Sequence, residues 1–281
     1  MTFRTLRDRK ALYEGPQPRI SSVLSHARRR NIGAAALFAC ALALGGCKSI
    51  GGSSRSDPLQ VAVPMEPAAA RAFVDDWGRK YDSAPNDRYV AMTYARGLRV
   101  AQRHHEATAV LQKLAAQNPK DMDVLAAYGK ALADAGRHQE AMAVLQGAHT
   151  AERPNWSVLS TQGSIADQMG EHEAAQNYYI SALKIVPGEP SVLSNLGLSY
   201  ALTKKLPQAE QMLRQAAQSP RADARVRQNL SLVLALQGKF QEAEEAQRVD
   251  AAPEQAAAAV ASIRQMIAQS DAWRRLQQPA R

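Results

Sequence analysis

Apolar residues recur along most of this chain at three- and four-residue spacing, as in Leu125, Tyr128 and Leu132 or Leu193, Leu196 and Tyr200. That spacing places them on one face of a helix. The same order of helix, short turn and second helix restarts at Arg88, Met122, Trp156, Pro190 and Ala224. Gly136, Gly170 and Gly238 fall in the turns, where a helix C-terminus can use positive φ. Pro119, Pro154, Pro187 and Pro220 are expected to close the second helices, because proline cannot continue the hydrogen-bond ladder. The pattern predicts an all-α array of helical hairpins.

The period is 34 residues, and small residues keep it in two columns. Ala95, Gly129, Gly163, Gly197 and Ser231 form the first, and Ala107, Ala141, Ala175, Ala209 and Ala243 the second. A large residue follows the alanine by four: Leu111, Leu145, Tyr179 and Leu213. Small side chains belong where two helices cross closely, since larger ones would push the backbones apart. A hairpin of this kind cannot bury its apolar face alone, so neighbours must stack. The columns resemble the tetratricopeptide repeat over residues 88–257 in five consecutive copies. The resemblance implies a right-handed superhelical solenoid of about five such hairpins with flanking helices. In the last copy Gln247 and Asp250 replace an apolar residue and an alanine, so its second helix is expected to be partly exposed or frayed.

The flanks read differently. Phe73, Trp77 and Tyr81 share a stripe upstream of the first hairpin, which predicts a covering helix within 68–87. Val260, Ile263 and Ile267 do the same within a capping helix and tail, 258–281. Near the start, Arg28, Arg29 and Arg30 precede a 13-residue apolar run, Ile32 to Leu44, that stops at Gly45-Gly46-Cys47. A bilayer core needs about 20 such residues. A basic flank, a short apolar stretch and small residues before a cut site describe a secretory signal over 1–46. Leu44-Gly45-Gly46-Cys47 looks like a bacterial lipobox, which implies lipidation of Cys47. Lys48 after that cysteine, rather than Asp, favours the outer membrane by the sorting rule of Gram-negative lipoproteins. Residues 47–67 then form a lipidated cysteine and a Gly-, Ser- and Pro-rich tether, whose ~20 residues reach roughly 25 Å.

This leader changes the meaning of the charge. Its 46 residues hold eight Lys/Arg and two Asp/Glu, so +6 of the chain's +9 belongs to it and +3 remains. With no basic stripe interleaved with aromatics, no nucleic-acid partner is expected. Cys40 leaves with the leader and Cys47 goes to lipid, so the mature body carries no disulfide.

Little in the chain suggests catalysis. His104, His138 and His172 recur with the repeat, but their column continues as Leu206 and Phe240, which reads as a packing slot. Successive repeats also hold these rings too far apart for one metal ion, whose ligands lie near 2 Å. No phosphate-binding loop, nucleophile elbow or dinucleotide fingerprint is present. Asp75-Asp76 reads as a solvated helix face. No enzyme activity, cofactor, metal or small-molecule substrate is expected.

The groove carries more information. First helices of tetratricopeptide arrays line the concave face, and here that face would show Ser157, Ser160, Thr161, Ser164, Ser191, Ser194 and Asn195. Asn229 follows Asn195 by one period. Asparagine offers a donor and an acceptor, matching the N–H and C=O of an extended peptide. Asn-Leu-Gly is also frequent in the repeat itself, and sequence alone leaves both readings open. The expected peptide-binding set is Ser160, Thr161, Ser164, Ser194, Asn195 and Asn229. Arg96, Arg99 and Lys130 make the other end mildly basic, without the full Lys/Asn/Arg set that clamps a C-terminal carboxylate in chaperone adaptors.

Ser194 to Leu206 (SNLGLSYALTKKL) and Arg225 to Gly238 (RVRQNLSLVLALQG) resemble the Tad (Flp) pilus assembly lipoproteins of the TadD type. Pro253 to Ala256 and Ile263 to Met266 continue the likeness. It implies an outer-membrane lipoprotein on the periplasmic face that helps build the Flp pilus secretion machinery, with the secretin as partner. The rival expectation is an adaptor that recruits a periplasmic cell-wall hydrolase or protease.

Overall fold

The computed structural model describes residues 61–276, with side chains as far as Gln269. The leader, Cys47, most of the tether and the last five residues lie outside the described residues. Within them the chain is all helical. A first helix, α1 (Pro67–Ser83), precedes five pairs: α2 (Arg88–Val100) with α3 (His104–Gln117), α4 (Met122–Asp134) with α5 (His138–Gln146), α6 (Trp156–Gln168) with α7 (His172–Ile185), α8 (Pro190–Leu202) with α9 (Leu206–Ala217), and α10 (Ala224–Leu236) with α11 (Phe240–Gln247). A long helix, α12 (Pro253–Leu276), follows.

Each pair begins and turns by the same local chemistry. Asp87, Asp121, Asn155 and Asp223 cap α2, α4, α6 and α10, each accepting a hydrogen bond from a backbone N–H of the first turn. Such a cap satisfies donors that the helix cannot. Glu189 holds the same register before α8 without a side-chain cap, and Pro190 there removes one of the orphan donors. At the far end of the first helices the chain enters the left-handed region at residues 102, 136, 170, 204 and 238, all with φ between 61° and 82°. The next residue donates back across the turn, as Arg103 N does to Leu98 O at 2.8 Å and Glu171 N to Ala166 O at 2.8 Å. This is the Schellman closure. Glycine fills it three times, but Gln102 and Lys204 fill the other two.

Packing follows the columns. A Cβ built on Gly129 would stand 2.4 Å from Leu145 Cδ2, one on Gly163 2.7 Å from Tyr179 Cε1, and one on Gly197 2.7 Å from Leu213 Cγ. The small residue of the first helix is thus the socket for the large residue of the second. The five alanines of the second column are fully buried. Second helices pack onto the first helix of the next pair, while first helices touch the first helices of their neighbours, α2 on α4 through to α8 on α10. First helices therefore form the inner rank of a superhelical solenoid.

The flanking helices close the ends. A Cβ on Gly97 would stand 2.8 Å from Phe73 Cδ1, so α1 lies directly on α2. Trp77 stacks on Phe73 and meets Tyr89 edge-on, and Tyr81 stacks on Tyr94. At the other end Ala256 and Val260 of α12 are buried, with Val260 in a cluster that runs from α8 to α11.

Two second helices are short. α11 ends at Gln247, and Gln247 and Asp250 turn to polar partners, Ser231 Oγ at 3.1 Å and Arg227 at 2.5–2.6 Å. The expectation of a weak last hairpin is met in this form. α5 was expected to run to Pro154 but ends at Gln146. Gly147 ends it, and Ala148 is the last buried apolar residue before the loop 149–155. Pro154 therefore leads into α6 and does not close α5.

Candidate protein-binding groove

The inner rank places a polar ladder along the last three hairpins. Asn229 Nδ2 donates to Ser194 Oγ at 3.0 Å, and Asn195 Nδ2 to Ser160 Oγ at 3.5 Å. Each rung spans 35 residues, one repeat plus one. Both asparagines are half-buried. Each bond uses one N–H, so the second N–H and the carbonyl oxygen of each amide remain for another partner. Thr161 Oγ1 donates to its own helix at Ser157 O (2.8 Å), and Ser164 Oγ accepts from Gln168 at 3.4 Å. Ser194 is 4% exposed. It serves as the acceptor that fixes Asn229 rather than as a surface of its own. The six expected residues thus sort into a partly open set, Ser160, Thr161, Ser164, Asn195 and Asn229, and a buried support, Ser194.

The first two hairpins give the inner rank a different character. Arg99 Nε pairs with Asp134 Oδ2 at 2.6 Å, and Arg88 bridges to Asp121 at 2.7 Å and Asp123 at 3.2 Å. Lys130 Nζ donates to Ser157 Oγ at 2.9 Å. Burial, reinforced by the Arg99 guanidinium and only partly offset by Asp134, pushes the Lys130 amine down to about 8. Arg96 stands one period before Lys130 and donates to the backbone carbonyl of Val61.

In the histidine column Leu206 and Phe240 pack on an apolar cluster, whereas His104 turns to Gln102 and His172 to Asp167. His104, His138, His172, Leu206 and Phe240 are all half-buried at the start of their helices. Among the described residues no group of three or more His, Cys, Asp or Glu side chains could hold a metal ion. Sequence reasoning missed one polar cluster. Asp167 receives Ser199 Oγ at 2.8 Å and Tyr179 OH at 3.2 Å, and lies 2.9 Å from His172 Nδ1. Burial raises the Asp167 carboxyl above its usual range, against the pull of His172, Ser199 and Tyr179. The serine, the tyrosine and the histidine all converge on this one carboxylate. That geometry pins α6, α7 and α8 together. Tyr179 and His172 stand in repeat columns, but Asp167 and Ser199 do not, so periodicity alone does not bring the four together.

Two tetratricopeptide-repeat family models match the chain, over residues 99–157 and 160–224. The array is a tetratricopeptide-repeat solenoid. No curated protein matches the sequence. Among solved structures, the APC/C hetero-tetramer Cut9–Hcn1 aligns with 68% of this chain at 15% identity and a TM-score of 0.56. The match covers 39% of that chain. PilW, a widely conserved type IV pilus biogenesis factor, aligns with 66% of this chain and 88% of its own at 15% identity and a TM-score of 0.57. At these identities the likeness is one of fold. Tetratricopeptide arrays are protein–protein interaction scaffolds, and the inner rank described above is where this one offers amide and hydroxyl groups. Among the described residues no helix is long and apolar enough to cross a membrane.

Proposed function

We propose that this chain is a membrane-anchored scaffold on the periplasmic face of the outer membrane that assists assembly of the Tad (Flp) pilus secretion machinery, with the secretin as its partner. The observation that carries the reading is the order of parts. A basic, apolar leader ends in Leu44-Gly45-Gly46-Cys47, a tether follows, and a repeat array with a polar inner rank comes last. Diacylation of Cys47 would hold the array at a membrane, since each buried CH₂ contributes ~0.8 kcal/mol and more than one acyl chain is needed for stable anchoring. The Tad-like stretches of α8, α10 and α12 suggest which assembly the array serves. The fold shared with PilW is compatible with this assignment and does not select it over other scaffolds.

The decisive experiment is a blot for heat-resistant secretin multimers in outer membranes of a strain lacking this protein. The reading expects their loss, with restoration by the wild type but not by Cys47→Ala. Normal multimers would overturn the secretin role and favour an adaptor for a periplasmic hydrolase or protease. Cys47→Ala is also expected to abolish palmitate labelling, and persistent labelling would remove the lipid anchor.

A further inference from the structure

Each of the last two inner helices carries four leucines and buries only two of them. Leu193 and Leu196 of α8 and Leu230 and Leu234 of α10 lie in the core. Leu198, Leu202, Leu232 and Leu236 are half-buried, and none of them packs against a buried cluster. Asn195, Leu198 and Leu202 stand at i, i+3 and i+7, as do Asn229, Leu232 and Leu236 one period later. Residues so spaced share a helix face, here the face whose asparagines reach the preceding inner helix. The four leucines therefore lie beside the two amides on the inner rank.

The repeat does not demand leucine there. In the first three hairpins the same two columns hold Arg96, Lys130 and Ser164, then Val100, Asp134 and Gln168. Single exposed leucines are ordinary, but a contiguous apolar patch rimmed by polar groups marks a contact surface. This patch has an amide edge toward the helix starts and a basic edge toward the helix ends. Lys204 and Lys205 follow Leu202, are exposed, and form no ion pair with a described residue. Lys205 Nζ leans over the Tyr200 ring, 5.8 Å from its centroid. Each edge selects a different part of a ligand. The amides match the N–H and C=O of an extended backbone, which turns alternate side chains to one side. The lysines favour acids.

We propose, on the reading of the array as a scaffold that binds through its inner rank, that this end of the groove takes an extended segment with large apolar side chains at alternate positions and an acidic flank. The apolar side chains lie on Leu198, Leu202, Leu232 and Leu236, and the acids on Lys204 and Lys205. The first two hairpins, with charged residues in the same columns, offer no such floor.

Selection of a displayed library of random short peptides on the immobilised whole chain tests this without the secretin. Enriched sequences are expected to share large apolar residues at alternate positions with Asp or Glu to one side. Leu198→Ser with Leu232→Ser is expected to cut their enrichment about tenfold or more, with helical circular dichroism unchanged. Lys204→Glu with Lys205→Glu is expected to keep the apolar pattern and exchange the acidic flank for a basic one. No enrichment, enrichment without the apolar alternation, or equal enrichment on the leucine variant would overturn the apolar floor. An unchanged acidic flank on the lysine variant would overturn the role of Lys204 and Lys205. A dimer in sedimentation that the leucine variant dissolves would make the occupant a second copy, and would also overturn the proposal. Failure here with secretin multimers lost in the deletion strain would leave the secretin reading standing on another surface. Enrichment with normal multimers would keep the apolar floor and remove the secretin.

Discussion

Gly163 has no unusual backbone to adopt, yet it cannot be replaced cheaply. A Cβ there would stand 2.7 Å from the Tyr179 ring, whose hydroxyl is held on Asp167. Gly163→Ala is expected to destabilise the protein by about 1–3 kcal/mol, the usual cost of overpacking a tight core. Urea denaturation at neutral pH measures it as a lower midpoint. Lys204 presents the opposite case, a side chain in a left-handed turn position that three other repeats give to glycine. The strain of that conformation costs about 1–2 kcal/mol. Lys204→Gly is therefore expected to raise the urea midpoint, with a gain of about 1 kcal/mol. The two columns of small residues were legible because one residue type recurs at one spacing. The turn column was legible only where glycine marks it, since nothing about Gln102 or Lys204 announces positive φ. The capping column Asp87, Asp121, Asn155 and Asp223 keeps the same period and could have been read, but it lies outside the apolar pattern that draws attention first.

Hairpins were easier to read than the places where they weaken. The loss of apolar character at Gln247 and Asp250 foretold the short α11, because substitution in a packing column removes the contact that would extend the helix. The early end of α5 was hidden, because Pro154 gave an apparent stop eight residues beyond the real one. The last hairpin shares an apolar cluster with its neighbour, and an acid adds an electrostatic tie. Glu210 of α9 receives Lys239 at 2.7 Å, Gln237 at 2.8 Å and Arg214 at 2.9 Å. Burial alone would raise its carboxyl, but these donors outweigh it and bring it from 4.5 to about 2. A carboxyl lowered on folding stabilises the native state fully above its unfolded value and stops doing so as pH falls through its folded value. Glu210's contribution is thus present above pH 4.5 and lost on descent toward about 2. Glu210→Gln should lower the urea midpoint at pH 7 and flatten its fall across that acid window. An equally steep fall in the variant would place the acid sensitivity elsewhere.

As a whole molecule the array is close to one-dimensional, and each hairpin answers mainly to its neighbours. The serine and asparagine ladder is where that linear design and a binding role make different demands on the same atoms. Asn195 and Asn229 each tie one inner helix to the next, and a structural role alone would account for both bonds. Losing one such bond costs about 0.5–1.5 kcal/mol, too little to unfold the array. The sequence showed these residues but not the rungs, since a hydrogen bond from one repeat to the next depends on superhelical pitch rather than on any local pattern. The two roles separate when the rungs are cut from either end. Ser160→Ala with Ser194→Ala removes the acceptors but leaves both amides facing the groove. Asn195→Ala with Asn229→Ala removes the amides themselves. If the groove binds an extended segment of the secretin, the asparagine pair should weaken capture of its purified periplasmic domain about tenfold or more, as the loss of two hydrogen bonds of roughly 1 kcal/mol each implies. The serine pair should weaken it far less, and helical circular dichroism should be unchanged in both. Equal losses would mean that the rungs only hold the array in shape, and unaltered capture by both would move the binding surface off the inner rank.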